Sequence, residues 1–211
     1  MKIDEKNLLG SILESLSHID YIKPEDFPNI DLYMDQVTTF MDGQLAVSKR
    51  HPEDKILTKT MINNYAKNNL LPPPVKKKYS RAHLLALIFI YYFKHILSIG
   101  DIQAILNPLM EQYFSPDLDF NLENIYSEVF QLEEPEVRNM QKDIARKYKT
   151  SQQTFQDVPP DAQAELQMFS FLCMLSFDVY VKKQLIEKLI DMKIEKSKPS
   201  EKRAKGKKTE K

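Results

Sequence analysis

The sequence predicts a mainly α-helical protein, and three observations carry this prediction. Apolar residues recur at intervals of three and four along most of the chain, whereas the alternating pattern of β-strands is scarce. Only four of the 211 residues are glycine, so phosphate-cradling glycine loops are not expected. The 42% hydrophobic and 28% charged residues are typical of a soluble globular protein. The length allows one medium-sized domain or two small ones.

Capping residues and prolines divide the N-terminal half of the chain into helices. The predicted ranges are residues 4–17, 31–46, 58–71, 80–97 and 99–106. The last three begin at residues whose hydroxyl groups can accept hydrogen bonds from free backbone N–H groups, namely Thr58, Ser80 and Ser98. Prolines at positions 24 and 28 interrupt the path between the first two helices.

The C-terminal half is predicted to contain longer helices. One begins at Leu122, and Pro135 either kinks it or divides it into two. The last runs from Asp161 to about residue 194, and its first half is apolar on nearly every side. Cys173 lies in this half and is expected to be a buried thiol that packs as a small apolar group. We expect this helix to pack in a helical bundle, against a second copy of the chain, or both.

The formal net charge of zero hides an uneven distribution. Lys and Arg counted against Asp and Glu give −3 over residues 1–29, +4 over 30–110, −7 over 111–192 and +6 over 193–211. Together with the prolines at 108 and 116, these shifts predict an N-terminal helix and linker, a first domain, a second helical domain and a basic tail. The predicted boundaries are 1–29, 30–110, 111–194 and 195–211. The tail has almost no apolar residues, so we expect it to be disordered in isolation.

Residues 58–106 carry the clearest indication of function. They form a polar helix, a proline stop, a lysine triplet at 76–78, an apolar helix and a short return helix. Helical spacing places the apolar side chains of the polar helix inward, which leaves Lys59, Asn63 and Lys67 on the outer face. Asparagine can read base edges, and lysine binds phosphates with an affinity that depends on salt. The pattern therefore predicts a surface that contacts duplex DNA.

The order of these segments resembles the winged helix-turn-helix domain of the MerR family of transcription regulators. In that family a helix ending L-R-Y-Y-E-x-x-G-L-L-x-P precedes a wing ending Y-R-x-Y. Here INNYAKNNLLP at residues 62–72 takes the place of the helix, and KKKY at 76–79 takes the place of the wing. Further matches are Leu84, Leu87, Ile90 and the segment SIGDI at 98–102. The chain also looks like an uncharacterised bacterial domain family that is often described as MerR-like.

The resemblance covers about residues 30–110 and implies a winged helix-turn-helix domain followed by a helical bundle or dimerisation domain. It also implies sequence-specific binding of double-stranded DNA in transcription regulation, by a homodimer formed through a helix after the DNA-binding domain. Combined with the surface described above, it predicts these DNA-contacting residues: Lys59, Asn63, Asn64, Tyr65, Lys67, Lys76, Lys77, Lys78, Tyr79 and Arg81. The tyrosines are also candidates for the core.

The sequence departs from the family pattern at three positions. Asn63 stands where the family has an arginine that contacts phosphate, Ala66 replaces a glutamate, and the glycine of the wing is absent. These departures favour an alternative, a protein–protein interaction module that has kept the fold without DNA binding. A second alternative is a sensor that holds an apolar small molecule between its C-terminal helices.

Other chemistry is not indicated, so we expect no enzymatic activity, no metal and no cofactor. The four histidines do not share the spacing of three or four residues that brings metal ligands together on one helix: His18, His51, His83 and His95. The apolar runs at 84–93 and 168–180 are shorter than the roughly 18–20 residues of a membrane span. With one cysteine and no apparent signal peptide, the protein is expected to be cytoplasmic.

Overall fold

The computed structural model describes residues 7–16 and 22–197. The predicted start of the first helix and the tail beyond residue 197 lie outside the described residues. The described chain is mainly helical, as predicted. In chain order, its elements are α1 (Leu8–Leu16), β1 (Leu32–Tyr33), α2 (Met34–Gln44), α3 (Lys59–Lys67), β2 (Lys78–Tyr79), α4 (Arg81–Phe93), α5 (Ile99–Tyr113), α6 (Leu122–Gln131), α7 (Glu133–Ser151) and α8 (Pro160–Ser197).

Helix α4 lies at the centre of the core. Nine consecutive residues of this helix are buried, from His83 through Tyr91. Such a helix must be covered on every side, because apolar surface in water is unfavourable by about 25 cal/mol per Å². The core to which it belongs also contains buried residues of five other helices: Val37 and Met41 on α2, Ile62 and Tyr65 on α3, Ile102 and Leu106 on α5, Leu122 and Tyr126 on α6, and Ile190 on α8. Residues on both sides of the predicted boundary at 110 thus share one core.

Two very short strands form an antiparallel ribbon that the sequence did not predict. Leu32 of β1 lies opposite Tyr79 of β2, and Tyr33 lies opposite Lys78. Each strand has two residues, which is too few for an alternating pattern to be visible in sequence. The helix predicted from residue 31 therefore begins only at Met34. The ribbon joins the start of α2 to the start of α4.

Helix α5 corrects the prediction that the return helix ends near residue 106. It continues through Pro108 to Tyr113. A proline in a helix removes one backbone N–H donor and costs free energy, but Leu106 and Met110 on either side of it are buried in the core. Their burial holds the helix together across the proline. Helix α4, in contrast, is shorter than predicted and ends at Phe93.

Helices α6 and α7 are separated at Leu132. Pro135, which the sequence indicated as either a kink or a boundary, lies in the first turn of α7. The first turn is where a missing N–H donor is tolerated, because the N–H groups there have no partner within the helix. The prediction of two separate helices is the one that the structure follows.

Helices α7 and α8 form an antiparallel hairpin. The ring of Phe171 packs edge-on against that of Tyr148, with centroids 5.4 Å apart. Farther from the connecting loop, the ammonium group of Lys147 binds the carboxylates of Asp143 and Asp178. Beyond the hairpin, α8 reaches α5, where Ile190 is buried in the core. Helix α8 therefore connects the C-terminal hairpin to the domain around α4.

The outer face of the N-terminal half of α8 is not covered, whereas the same side of its C-terminal part packs on the core through Ile186 and Ile190. Cys173 is exposed on the uncovered face, so the expectation of a buried thiol is wrong. The reason is that the helix turns its other face towards α7. In the described part of the chain, α8 is also the one helix that is long and apolar enough to cross a membrane, with a mean hydropathy of 1.3 over its most apolar window, of which 11% is buried.

Candidate nucleic-acid interface

Helix α3 is defined by clear signals at both ends. At its start, the Thr58 hydroxyl accepts a hydrogen bond of 3.2 Å from the backbone N–H of Met61. At its end, Asn69 adopts the left-handed conformation with φ of 54°. The N–H of Leu70 then donates back to the carbonyl of Tyr65 at 2.9 Å, which is the Schellman arrangement. Leu70 is buried and seals this end.

Contacts from three neighbouring elements hold α3 in place. Lys59 forms an ion pair with Asp35 of α2. At the other end, the side chain of Gln103 of α5 donates a hydrogen bond to the carbonyl of Asn68. The chain leading into the helix is held by α4, whose C-cap residue Lys94 donates from Nζ to the carbonyl of Ile56 at 2.8 Å.

Burial lowers the pKa of Lys94. Its ammonium group lies 4.7 Å from the centroid of the Tyr91 ring, a distance at which the electron-rich face of the ring attracts a cation. Lys94 is a positioning residue that sequence reasoning missed. Its position just after an apolar helix was the available signal, because lysines there often bind carbonyl groups.

The outer face of α3 carries the predicted polar residues. Lys59, Asn63, Asn64 and Lys67 are all exposed. Tyr65 is not among them: it is buried in the core, and this burial raises the pKa of its hydroxyl group. It therefore supports the helix from behind and is no longer counted among the proposed DNA contacts.

The lysine triplet forms a tight hairpin turn. The backbone N–H of Val75 donates to the carbonyl of Lys78 at 3.1 Å, and the N–H of Lys78 donates to the carbonyl of Val75 at 2.9 Å. Lys76 and Lys77 form the two-residue loop between them, with φ of 50° and 65°. Positive φ at both loop positions is the mark of a type I′ turn, which matches the twist of paired strands.

Lysine is an unfavourable residue at both loop positions. The left-handed conformation costs an L-residue with a β-carbon roughly 1–2 kcal/mol, and Asn-Gly is the preferred pair in this turn. The side chains of Lys76 and Lys77 are both exposed, so packing does not account for the choice. Strained positions of this kind cluster at functional sites, where the side chain has a task other than stability.

Lys78 and Tyr79 lie closer to the body of the domain. Lys78 is half-buried, with its ammonium group 5.4 Å from the centroid of the Tyr33 ring on the paired strand. Tyr79 is 3% exposed, and burial raises the pKa of its hydroxyl group. Of the predicted wing residues, Lys76 and Lys77 are thus presented to solvent, Lys78 partly so, and Tyr79 belongs to the core.

Arg81 corrects another expected DNA contact, because its guanidinium group is directed at the protein. Nη2 donates to the carbonyl of Pro24 at 2.7 Å and lies 2.7 Å from a carboxylate oxygen of Glu123. Nη1 donates to the side chain of Asn29 at 3.2 Å, and the group stacks 5.5 Å from the centroid of the Phe27 ring. Arg81 ties residues 24–29 to α4 and α6, so it is removed from the proposed phosphate contacts.

His83 braces the turn from inside. The N–H of Ser80 donates to Nδ1 of His83 at 3.0 Å, and Nε2 lies 3.4 Å from the carbonyl of Pro73. Because Nδ1 accepts, the proton of the neutral ring is on Nε2, facing that carbonyl. Burial lowers the pKa of His83. The sequence offered a signal for this residue, since it stands three positions after the capping Ser80.

The described part of the chain has several surface grooves, two of which bear on its function. A polar groove of about 670 Å³ runs between α2 and the loop leading to α3, lined by residues that include Thr38, Lys49 and Lys59. An apolar groove of about 350 Å³ lies between α1, α4 and the junction of α6 and α7. Within the described ranges, no group of three or more His, Cys, Asp or Glu residues could hold a metal ion.

Comparison with known families gives one result. The family model described as a domain of unknown function (DUF1836) matches residues 22–129, just over half of the 211 residues. The chain belongs to the DUF1836 family. Comparison with curated proteins gives no match, and comparison with solved structures gives none.

The DUF1836 match follows the structure closely. It extends from Ile22, whose carbonyl accepts a hydrogen bond of 2.5 Å from the hydroxyl of Tyr126, to Val129, two residues before the end of α6. It contains α3, the lysine turn and the buried α4. Helices α7 and α8 lie beyond it. The DUF1836 region is therefore the part of the chain that carries the candidate interface.

Proposed function

We propose that the DUF1836 region of this protein binds double-stranded DNA and that the protein regulates transcription. In this proposal α3 enters the major groove, and the turn at Lys76 and Lys77 acts as a wing on the phosphate backbone. The observation that carries the proposal is the turn itself. Two exposed lysines occupy backbone positions where lysine is energetically unfavourable.

The exposed residues of α3 and of the lysine turn fall into two groups, those that bind phosphates and those that contact bases. Lys67, Lys76 and Lys77 are exposed cations suited to phosphates, and Lys59 becomes a fourth when a phosphate replaces Asp35 in its exposed ion pair. Asn63 adds an exposed amide that can form paired hydrogen bonds with adenine in the major groove. Each phosphate neutralised contributes about −0.9 to the slope of log affinity against log salt, so we expect a slope of roughly −3 to −4 per copy of the chain.

The proposal is tested by fluorescence anisotropy with a pool of duplex fragments from the host genome, titrated in salt, followed by sequencing of the bound fraction. The test variant is Lys76→Ala/Lys77→Ala. The matched control is Lys142→Ala/Lys149→Ala, which removes the same charge from two exposed positions of α7. We expect the turn variant to weaken binding about tenfold or more and to flatten the salt slope by about two, while the control binds like the original protein.

Three results would overturn the proposal or a part of it. Equal losses in the two variants would mean that binding follows net charge rather than the turn. Binding without enrichment of any sequence would reduce the role of α3 to backbone contact. Absence of binding at low salt would reject DNA as the ligand.

The second candidate function is a non-enzymatic protein–protein interaction module. The uncovered apolar face of α8 favours it, because exposed apolar patches of this kind often mark interaction sites. The net charge of −7 over residues 111–192 also disfavours DNA contact by that part of the chain. Failure to bind DNA at low salt would make this candidate the preferred one.

The third candidate function is a small-molecule sensor. The groove of about 350 Å³ near the junction of α6 and α7 is apolar, as expected of a ligand site. Six of its eight lining residues lie on α6, on α7 or between them, and Leu16 of α1 and Tyr92 of α4 complete it. A change in DNA affinity on adding a ligand would be needed to support this role.

A further inference from the structure

Helix α8 carries an apolar face that points away from the rest of the protein. Four large side chains of its N-terminal half have exposed fractions between 53% and 66%: Phe169, Leu172, Phe177 and Tyr180. With 3.6 residues per turn, these side chains and the exposed Val179 fall within an arc of about 160°. The opposite side of the same segment packs on α7 through Phe171.

The exposed apolar area of this face is large for a protein surface that contacts only water. Aromatic side chains present roughly 150–250 Å² each, so these five residues together expose on the order of 500 Å² of apolar surface. That is as large as the largest patch of a typical monomer. It is also most of the roughly 800 Å² per partner that a standard protein interface buries.

A lipid bilayer fits this face poorly. Immediately behind it, Lys147 is almost fully buried between the carboxylates of Asp143 and Asp178. The partner helix α7 also presents exposed charges, among them Arg138 and Lys142. Moving these groups into hydrocarbon would cost several kcal/mol each. A protein partner covers the apolar face without moving α7.

The centre of the face has the spacing of a helix–helix seam. Exposed residues recur at alternating steps of four and three: Glu165, Phe169, Leu172, Ser176, Val179 and Lys183. This is the spacing of the a and d positions of a coiled coil. The seam is apolar in the middle, has an acidic residue at one end and has a basic residue at the other.

We infer that this seam binds a second copy of the same helix in the antiparallel direction. With the two-fold axis at the level of residue 174, Phe169 meets Val179 of the other copy, and Leu172 meets the small side chain of Ser176. At both ends Glu165 then meets Lys183. A parallel pairing would instead place Glu165 beside Glu165 and Lys183 beside Lys183, and like charges in contact oppose association.

Lys183 already has a weak partner within its own helix. Its Nζ lies 3.6 Å from a carboxylate oxygen of Glu187, on the surface. Such exposed pairs contribute roughly 0–1 kcal/mol, so exchanging Glu187 for the Glu165 of a second copy costs little. The charges select the direction of pairing, whereas the apolar side chains supply the affinity.

This inference rests on the proposed function in one respect: a two-fold dimer would present two α3 helices to a palindromic DNA site. Dimerisation itself is measured without DNA, so the two can be tested separately. Sedimentation equilibrium of the full chain at 1–50 µM, as an order-of-magnitude range, should give a dimer. Leu172→Glu should raise the dimer dissociation constant at least a hundredfold. The matched control is Leu185→Glu, which changes an equally exposed leucine (57% against 53%) on another face of α8.

The antiparallel direction of helix pairing is tested by exchanging the charges of Glu165 and Lys183. Glu165→Lys and Lys183→Glu should each weaken the dimer, and the double variant should restore it, because the antiparallel pair is then oppositely charged again. Cys173 is the only cysteine and lies close to the predicted axis. A short bis-maleimide should therefore link two copies of the original protein, and Cys173→Ser should abolish the product.

The inference fails if the original protein is monomeric over the whole range, or if Leu185→Glu disrupts the dimer as much as Leu172→Glu. A double charge variant that stays monomeric would reject the antiparallel register. A monomer that floats with phosphatidylglycerol vesicles would assign the face to lipid. Loss of DNA binding with an intact dimer would reject the proposed function and leave this inference standing.

Discussion

The imidazole of His83 accepts a hydrogen bond from the backbone N–H of Ser80 at 3.0 Å, inside the domain and directly behind the lysine turn. Its Nδ1 also lies 2.8 Å from the Ser80 hydroxyl oxygen. An atom that accepts here cannot also carry a proton. Protonation of His83 at Nδ1 would place an N–H group against the backbone N–H of Ser80, the N-cap residue of α4.

Stability should therefore fall in mild acid. Burial lowers the pKa of His83 in the folded protein below its usual value of about 6.5. The unfolded chain then binds more protons below that pH, so the contribution is complete above about pH 6.5 and is lost as the pH falls from there through the folded pKa. One such group changes the free energy of unfolding by at most about 1.4 kcal/mol per pH unit.

Urea denaturation between about pH 5 and 8 measures this dependence. The comparison variant is His83→Gln, which keeps an acceptor at the capping position but does not titrate. Its slope should be smaller than that of the original protein. Some slope remains from His95, whose pKa is lowered by burial and by the nearby Lys94. Identical slopes in the two proteins would show that His83 is not the titrating group.

The strained turn at Lys76 and Lys77 predicts that a substitution which stabilises the folded protein will weaken its binding to DNA. Lys76→Asn/Lys77→Gly introduces the pair that type I′ turns prefer. It should raise the free energy of unfolding by about 1–2 kcal/mol and Tm by roughly 2–8 °C, while weakening DNA binding like the double alanine variant. Calorimetry and anisotropy measure the two effects.

The double alanine variant separates strain from charge. It removes the same two charges but leaves a β-carbon at each position, so the rise in Tm should belong to Asn-Gly alone. A variant that is more stable and binds DNA undiminished would disprove the role of the turn as a wing. Unchanged Tm would instead speak against the type I′ geometry.

Arg81 should contribute to folding rather than to binding. Arg81→Lys loses the planar group that reaches Pro24, Asn29 and Glu123 together. We expect the free energy of unfolding to drop by about 1–3 kcal/mol, with DNA affinity unchanged under conditions where the variant is folded. Denaturant titration and anisotropy at 25 °C test the pair of expectations. If Arg81→Lys instead weakens DNA binding without changing stability, Arg81 contacts DNA after all.

The outer face of α3 should separate recognition from affinity. Asn63→Ala should reduce discrimination between sequences, by about 1–3 kcal/mol at the base pair it reads, without changing the salt slope. Lys67→Ala should weaken binding to all sequences and reduce the salt slope by about one. Competition binding with the enriched site and a scrambled site distinguishes these effects. Equal behaviour of the two variants would mean that α3 does not read bases.

The helical character of the protein and many helix boundaries follow from local sequence signals alone. Thr58, Ser80 and Ser98 precede α3, α4 and α5 as predicted. The hydroxyl groups of Thr58 and Ser98 accept hydrogen bonds from backbone N–H groups three positions later, which is a local contact. The hydroxyl group of Ser80 lies against Nδ1 of His83 instead. The exposed polar face of α3 was predictable for the same reason, since helical spacing is a local property. Pro108 was misread because burial of distant residues outweighs the local cost of a proline.

Which candidate residues face solvent depends on contacts between distant parts of the chain and could not be read from local sequence. Arg81 and Lys77 are both basic residues near the same turn, but one is tied to a segment more than fifty positions earlier and the other is exposed. The left-handed backbone of Lys76 and Lys77 was also invisible, because it is imposed by pairing between Val75 and Lys78 and runs against the preference of lysine. Likewise, the apolar pattern of α8 was evident in sequence, whereas the exposure of Cys173 depended on which face α7 covers.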